Sequence, residues 1–216
     1  PVERGVISDY DAAENMIVHF IKQTFGNRIL KPRIIVIVPS GVTTVQHHSL
    51  ANAVAAAGCR NISTIDNTVA AAIGLCSDID KPRGSMIVDI GGGTTDISTL
   101  SLGGIANQES LRIGSIDFDD DIEKYVRREK NILIGSHTAE NIKRTIGSAV
   151  KRDFDVSMTG KGRNLFTGLP EVFEISSHEV YEAIYDHLQA ICKACQTVLE
   201  KTSPDIVADI SVDGIK

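Results

Sequence analysis

Residues 88–100 read VDIGGGTTDISTL. Val88 and Ile90 flank Asp89, then Gly91, Gly92 and Gly93 interrupt, and Thr94, Thr95 and Asp96 lead into Ile97 and Leu100. Apolar residues at alternate positions mark strands, and glycines between two such runs mark a turn. A strand over 86–89, a glycine loop and a second strand carried by Ile97, Leu100 and Leu102 are therefore expected. Gly103 and Gly104 signal a second hairpin, with a third strand reaching Ile113. Three successive glycines also let backbone N–H groups approach a ligand that a Cβ would exclude. Amides turned inward form an anion-binding concavity without any helix N-terminus. Thr94 and Thr95 add hydroxyl donors, and Asp89 and Asp96 add carboxylates that suit a hydrated Mg2+. A glycine-rich hairpin and a phosphate cradle both fit the bare pattern. No Gly-Lys-Ser/Thr is present, so this is not a Walker loop. A strand rather than a helix follows, so it is not the dinucleotide fingerprint either.

Upstream, residues 9–25 (DYDAAENMIVHFIKQTF) space Met16, Ile17, Phe20 and Ile21 as one face of an amphipathic helix. RIIVIVP (33–39) is a continuous β-branched run suited to a strand covered on both faces. A helix over 43–58, a short strand over 61–65 and a short helix over 68–75 complete an alternating α/β pattern in residues 1–77. Downstream, FDDDIEKYVRREK (118–130) places aspartates in the positive first turn of a helix and basic residues in its last. A further helix over 138–150, short strands and turns over 151–176 and a long helix over 177–201 follow. No repeat of 20–50 residues is visible.

The 216 residues carry a formal net charge of −6, and the basic residues are scattered, so nothing marks a nucleic-acid surface. No run approaches the roughly 18 apolar residues of a spanning helix, and no stretch has the pattern of a secretory signal. Four cysteines in no regular framework point to a reducing compartment. Cys192 and Cys195 lie in a helical pattern without a second cysteine pair and read as helix-packing residues rather than a metal or redox motif. His47 and His48, with no ligand partner at suitable spacing, read as a solvated helix face. The first residue, Pro1, and the turn entering an uncompleted strand at 213–216 lead us to expect a piece of a longer chain.

The glycine stretch with its flanks and three further stretches together break the tie: GSMIVDIGGGTTDISTLSLGGI, RIGSIDFDDDIEKYVRRE, IGSHTAENIKRTIGSA and GRNLFTGLPEVFEIS. In this order, and through essentially the whole chain, they resemble the actin-like ATPase superfamily, most closely the bacterial MreB/Mbl rod-shape-determining proteins. The resemblance implies an α/β fold with two lobes, built on ribonuclease H-like subdomains, around a nucleotide cleft. Residues 1–77 would be part of the first large subdomain, 78–114 and 177–216 the second, and 115–176 a small inserted subdomain. It implies ATP and Mg2+ as cofactors, self-association into filaments, and a cytoplasmic location peripheral to the inner membrane, where filaments organise cell-wall synthesis. Phosphates would be held by Gly91, Gly92, Gly93, Thr94 and Thr95, the metal through water by Asp89 and Asp96, and the nucleoside by Glu140 and Lys143. Spacing alone leaves a second account of Glu140 and Lys143 open, an exposed intrahelical ion pair. A DnaK-type chaperone ATPase and a non-hydrolysing scaffold paralogue are the rival identities.

Departures from the family pattern carry information. The first phosphate loop and the closing adenosine loop of the family have no counterpart between Pro1 and Lys216. Typical members read Ile-Glu-Glu-Pro-Met-Ala-Ala-Ala-Ile-Gly where this chain reads IDNTVAAAIG (65–74). Asn67 thus stands where the resemblance implies a glutamate that positions the attacking water, a role shared with Thr94. An amide can hydrogen-bond water but cannot take its proton, so hydrolysis is expected to be slow or lost. Ile29 and Leu30, flanked by Arg28, Lys31 and Arg33, fit either an interfacial lipid anchor or, for Leu30, a cap on the core.

Overall fold

The computed structural model describes residues 2–3, 6–26, 33–41, 44–56, 59, 61–75 and 80–216. Ile29, Leu30 and Cys76 lie outside these. The chain divides into two compact units, residues 1–112 with 194–216, and residues 113–193.

The first unit opens with a short antiparallel pair, β1 (Val2–Glu3) and β2 (Val6–Ile7). Helix α1 (Tyr10–Phe25) is capped by Asp9, whose carboxylate accepts from Ala12 N at 3.0 Å, and it ends on Gly26 at φ 59°. Strand β3 (Arg33–Val38), helix α2 (Thr44–Ala56) and strand β4 (Asn61–Asp66) form one β-α-β unit, with β3 and β4 parallel from Arg33↔Asn61 to Val38↔Asp66. The expected two-sided covering of β3 is not met among the described residues. Ile35 and Ile37 are 69% and 59% exposed, while on the other face Ile34 and Val36 are half-buried and Val38 is buried.

Helix α3 (Asn67–Gly74) follows β4 without a loop. It leads to the antiparallel sheet β5 (Ser85–Ile90), β6 (Thr95–Ser101) and β7 (Gly104–Leu111), ordered β5-β6-β7. The strands fall near their expected places, except that Leu102, expected in the second strand, is left-handed (φ 52°) in the turn after β6, and β7 ends at Leu111 rather than Ile113. Two-residue periodicity then sorts the side chains. Met86, Val88, Ile97 and Leu111 share one face and pack with Ala194, Val198, Ile206 and Ile210. Ile87 and Leu100 face the other way and pack with Val69 and Ala72 of α3. The central strand β6 is covered on both sides and is buried from Thr95 through Leu100.

In the second unit, helix α4 (Ser115–Lys130) starts at Gly114, whose N–H donates to the Asp117 carboxylate at 2.8 Å, and it ends in left-handed Asn131. Short β8 (Ile132–Leu133), helix α5 (Ser136–Ile146) and the hairpin β9 (Ser157–Asn164) and β10 (Pro170–Ser176) come next, the sheet running β10-β9-β8. Helix α6 (Ser177–Lys201) matches the expected 177–201, and the unit boundary falls within it. Helix α7 (Pro204–Asp213) returns the chain to the first unit. There the final residues pair in parallel with β5, Lys216 N donating to Met86 O at 3.0 Å and Val88 N to Lys216 O at 2.8 Å. The turn-then-strand signal of 213–216 is thereby realised. Of the two α6 cysteines, only Cys195 packs against the core; Cys192 is exposed, contrary to expectation.

Asp155 anchors the start of α6, accepting from Ser177 Oγ at 2.9 Å and His178 N at 3.0 Å. Desolvation works against its charge. Hydrogen bonds from Ser176, His178 N–H and Ser177, with the nearby imidazole, outweigh it and hold the carboxyl at about 2 against an ordinary 3.8. A depressed folded pKa contributes stability that is full above the ordinary value and is lost as pH falls toward 2. Urea unfolding of wild type and Asp155→Asn from pH 6 to pH 2 should show a constant gap at the upper end that closes between about pH 4 and pH 2. A gap independent of pH would mean that the carboxylate charge is not what holds the α6 terminus.

Candidate functional site

The β5–β6 hairpin brings the quoted residues together. Register pairs Asp89 with Asp96 and Ile90 with Thr95, leaving Gly91–Gly92–Gly93–Thr94 as the loop, closed by Gly91 N donating to Thr94 O at 2.8 Å. Gly91 does not adopt a left-handed backbone. Its missing Cβ matters because the turn closes tightly, with Thr94 O only 3.3 Å from where that Cβ would stand. Gly92 is exposed; Gly91, Gly93 and Thr94 are half-buried.

Asp89 and Asp96 are two and one positions from Ile87 and Ile97 respectively, so they belong to the face that meets α3. The N-terminus of α3 stands over them. Asn67 Nδ2 donates to Asp89 Oδ2 at 3.0 Å and to Asp96 Oδ2 at 2.7 Å. Asp66 caps the same helix, accepting from Thr68 N at 3.0 Å and Thr68 Oγ1 at 2.7 Å. Thr68 Oγ1 in turn lies 2.8 Å from Ser98 Oγ on β6, which fixes the height of α3 over the sheet. Ser40, buried in the turn after β3, shares its one hydroxyl hydrogen between Asp66 Oδ1 at 2.8 Å and Asn67 Oδ1 at 3.2 Å. The carboxyl ends of parallel β3 and β4 and the β5–β6 loop thus converge on one polar cluster. Open α/β sheets offer ligand sites beyond the carboxyl ends of their strands.

Asp96 is fully buried. Burial raises its pKa; hydrogen bonding from Ser110 and Asn67 opposes this, and the negative charges of Asp66 and Asp89 add to the rise. Ser110, its partner across β6 and β7, acts on the carboxyl from close by, yet no well-formed hydrogen bond reaches Asp96 Oδ1. Thr95 belongs to the opposite face, with Ile97 and Leu111, so its side chain is not part of the Asn67 cluster. Among the described residues no three His, Cys, Asp or Glu side chains converge as a metal centre.

Glu140 and Lys143 lie in the second unit, both on α5. They do not form the intrahelical pair that their spacing allows. Glu140 is more than half exposed and sits 4.0 Å from Arg144 Nη1, one turn on, a surface pair of little consequence. Lys143 is largely buried, and its ammonium donates to Ser115 O at 2.8 Å and to the Asp119 carboxylate at 2.8–2.9 Å. It therefore ties α5 to the first turn of α4. Ser40, Asp66 and Asp119 had gone unassigned in the sequence. Asp66 had left one readable signal, an aspartate directly before a helical run with Thr68 two residues on.

The fold is that of the actin-like proteins. It matches the MamK double helical filament with a TM-score of 0.79 over 96% of this chain and 63% of that one, at 19% identity, a likeness of fold alone. A family model, MreB/Mbl protein, matches residues 1–216, and the chain belongs to that family. It is 41% identical over 217 residues to the cell shape-determining protein MreB of Escherichia coli and 35% identical over 216 residues to Mbl of Bacillus subtilis. It covers 100% of itself in both alignments but only 62% and 65% of those relatives' lengths. MreB5 of Spiroplasma citri bound to AMPPNP superposes with a TM-score of 0.92 at 36% identity, over 100% of this chain and 65% of that one.

Proposed function

We propose that this protein is an ATP-binding bacterial actin-like cytoskeletal protein that assembles with itself into filaments at the inner membrane and organises cell-wall synthesis and rod shape. The carrying observation is the closed Gly91–Thr94 loop beside Asp89 and Asp96, in a chain whose relative MreB5 is known bound to AMPPNP and ADP. In this proposal the loop amides and the Thr94 hydroxyl hold phosphate oxygens, while the Thr95 hydroxyl, expected there from the sequence, lies buried on the other face of β6. Glu140 and Lys143 serve the nucleoside, and Thr94 faces the attacking water, with Asn67 in the degenerate place of the glutamate. Residues 1–77 form part of the first large subdomain, 78–114 and 177–216 the second, and 115–176 the small insertion. Compactness of residues 113–193 supports an inserted subdomain.

Mg2+ fits the residues in outer-sphere fashion. Asp89 and Asp96 offer hard oxygen acceptors, an excess of negative charge surrounds them, and Asp96 Oδ1 is buried without a partner. When bound, the ion would screen phosphate charge. Among the described residues no helix is long and apolar enough to cross a membrane. Membrane contact is assigned to Ile29 and Leu30 on sequence grounds.

Asn67 favours a second account, a filament scaffold that binds nucleotide but scarcely cleaves it. One experiment addresses both. Full-length protein is sedimented with no nucleotide, with ATP and Mg2+, and with AMPPNP. Pelleting that requires nucleotide and is the same with ATP and AMPPNP favours the scaffold. ATP filaments that disassemble over time favour a hydrolysing filament. Pelleting independent of nucleotide, together with no binding of a fluorescent ATP analogue, would overturn the proposal.

A further inference from the structure

The primary amide of Asn67 is fully engaged. It has two N–H hydrogens, and each goes to a different carboxylate, Asp89 Oδ2 at 3.0 Å and Asp96 Oδ2 at 2.7 Å. Its carbonyl lies 3.2 Å from Ser40 Oγ, and two acceptor carboxylates on the other side require the amide nitrogen there. The two aspartates are direct cross-strand partners, an arrangement in which like charges repel. A third carboxylate, Asp66, lies one hydrogen bond away through Ser40. Around a fully buried Asp96, the Asn67 amide is the group that bridges this repulsion, and it does so with neutral donors.

A glutamate here would bring no donor and a further negative charge. The two aspartates would then need a cation, or a proton, between them. Asparagine removes that need.

We propose that Asn67 sets the divalent-cation affinity of this site: by bridging Asp89 Oδ2 and Asp96 Oδ2 it engages one oxygen of each carboxylate and offsets the repulsion that would otherwise draw in a hydrated cation, so the nucleotide-free protein takes up the ion weakly. This rests on the nucleotide-site reading above and names its regulation. The cation gains a firm hold only when a bound anion supplies further oxygens. Asp96 Oδ1, unpartnered and buried, is the acceptor left over for it. Releasing two charge-assisted hydrogen bonds, part of whose worth is regained from water, should raise ion affinity by roughly tenfold or more.

The test uses nucleotide-free full-length protein and Mn2+ as probe, with free Mn2+ followed by electron paramagnetic resonance at constant ionic strength. Asn67→Ala should bind Mn2+ roughly tenfold more tightly than wild type, and Asn67→Asp, which adds a carboxylate, more tightly still. Asp96→Asn in the Asn67→Ala background should erase the gain. Circular dichroism verifies folding of each variant, and Asn67→Ser replaces Asn67→Ala should the latter fail to fold. Equal Mn2+ affinity in wild type and in the Ala, Ser and Asp variants would overturn the proposal, as would a gain that survives Asp96→Asn. Fluorescent ATP binding is measured separately on the same proteins. If wild type binds no nucleotide, the nucleotide reading fails, while the Mn2+ series still decides whether Asn67 governs the cation.

Discussion

Full-length protein should bind ATP yet release phosphate at least about 100-fold more slowly than family members that carry glutamate at the position of Asn67. A positioned general base contributes roughly 10²–10⁴ in rate, and Asn67 has no basic site at neutral pH. The structure sharpens the expectation. Both amide hydrogens are committed to Asp89 and Asp96, and Oδ1 is held by Ser40, so the side chain has little left with which to orient a water. Asn67→Ala should therefore change the residual turnover by no more than about threefold, because a group that was not acting as a base cannot be missed. Asn67→Glu should raise turnover while lowering stability, since it deletes the bridge and adds charge beside buried Asp96. Phosphate release measured on the wild type and both variants checks this. Turnover equal to that of glutamate-bearing relatives, and abolished in Asn67→Ala, would show that the amide is an active participant.

Gly84→Ala should destabilise the protein by about 3 kcal/mol, lowering the melting temperature by roughly 6–12 °C. Gly84 stands just before β5, where α7 crosses. A Cβ there would come within 2.6 Å of Ile206 O, 2.7 Å of Ile206 Cγ2 and 2.9 Å of Ile206 Cα. Two of these are backbone atoms of a helix, which cannot swing aside. Relief requires α7 to back away. That would stretch the hydrogen bond from Gly84 N to Asp209 Oδ2, 2.7 Å, and withdraw Ile206 and Ile210 from Met86 and Ile97. Gly74→Ala is the control. No atom lies within 4 Å of its would-be Cβ and its backbone is not left-handed, so the change should be neutral or stabilising by about 0.5 kcal/mol. Thermal melts of the two variants side by side test the contrast. Equal melting temperatures would mean that α7 is loosely seated on β5.

The same balance of local and distant effects decides what was legible in advance. Alternation in MIVDI and TDISTL, broken by glycines, defines β5 and β6 because a strand's side-chain period of two is a local property. The long 3.6-residue pattern defines α6 to the residue for the same reason. The exposed face of β3 is not legible because a β-branched run reports strand propensity, and whether both faces are packed depends on what else is laid against them. Exposure of Cys192 is not legible for a similar reason: helical spacing places it on α6 but does not say which stripe of the helix is covered. Glu140 and Lys143 were correctly put on one helix, yet each found a nearer partner than the other, Arg144 and Asp119.

By itself, then, the sequence determined the α/β alternation, the hairpin that sets Asp89 opposite Asp96, membership of the MreB/Mbl family, and the oddity of an asparagine at position 67. The first two rest on periodicity and turn chemistry, which act over a few residues, and the last two on the resemblance of ordered segments along the whole chain. Tertiary structure alone decided what that asparagine does. It lies 22 and 29 residues from the aspartates it bridges, and Lys143 lies 24 from the carboxylate that holds it. Such meetings depend on how α3 seats on the β5–β6–β7 sheet and α5 on α4. Apolar burial of Val69, Ala72, Ile87 and Leu100 sets the first of these, and no local pattern in the chain records it.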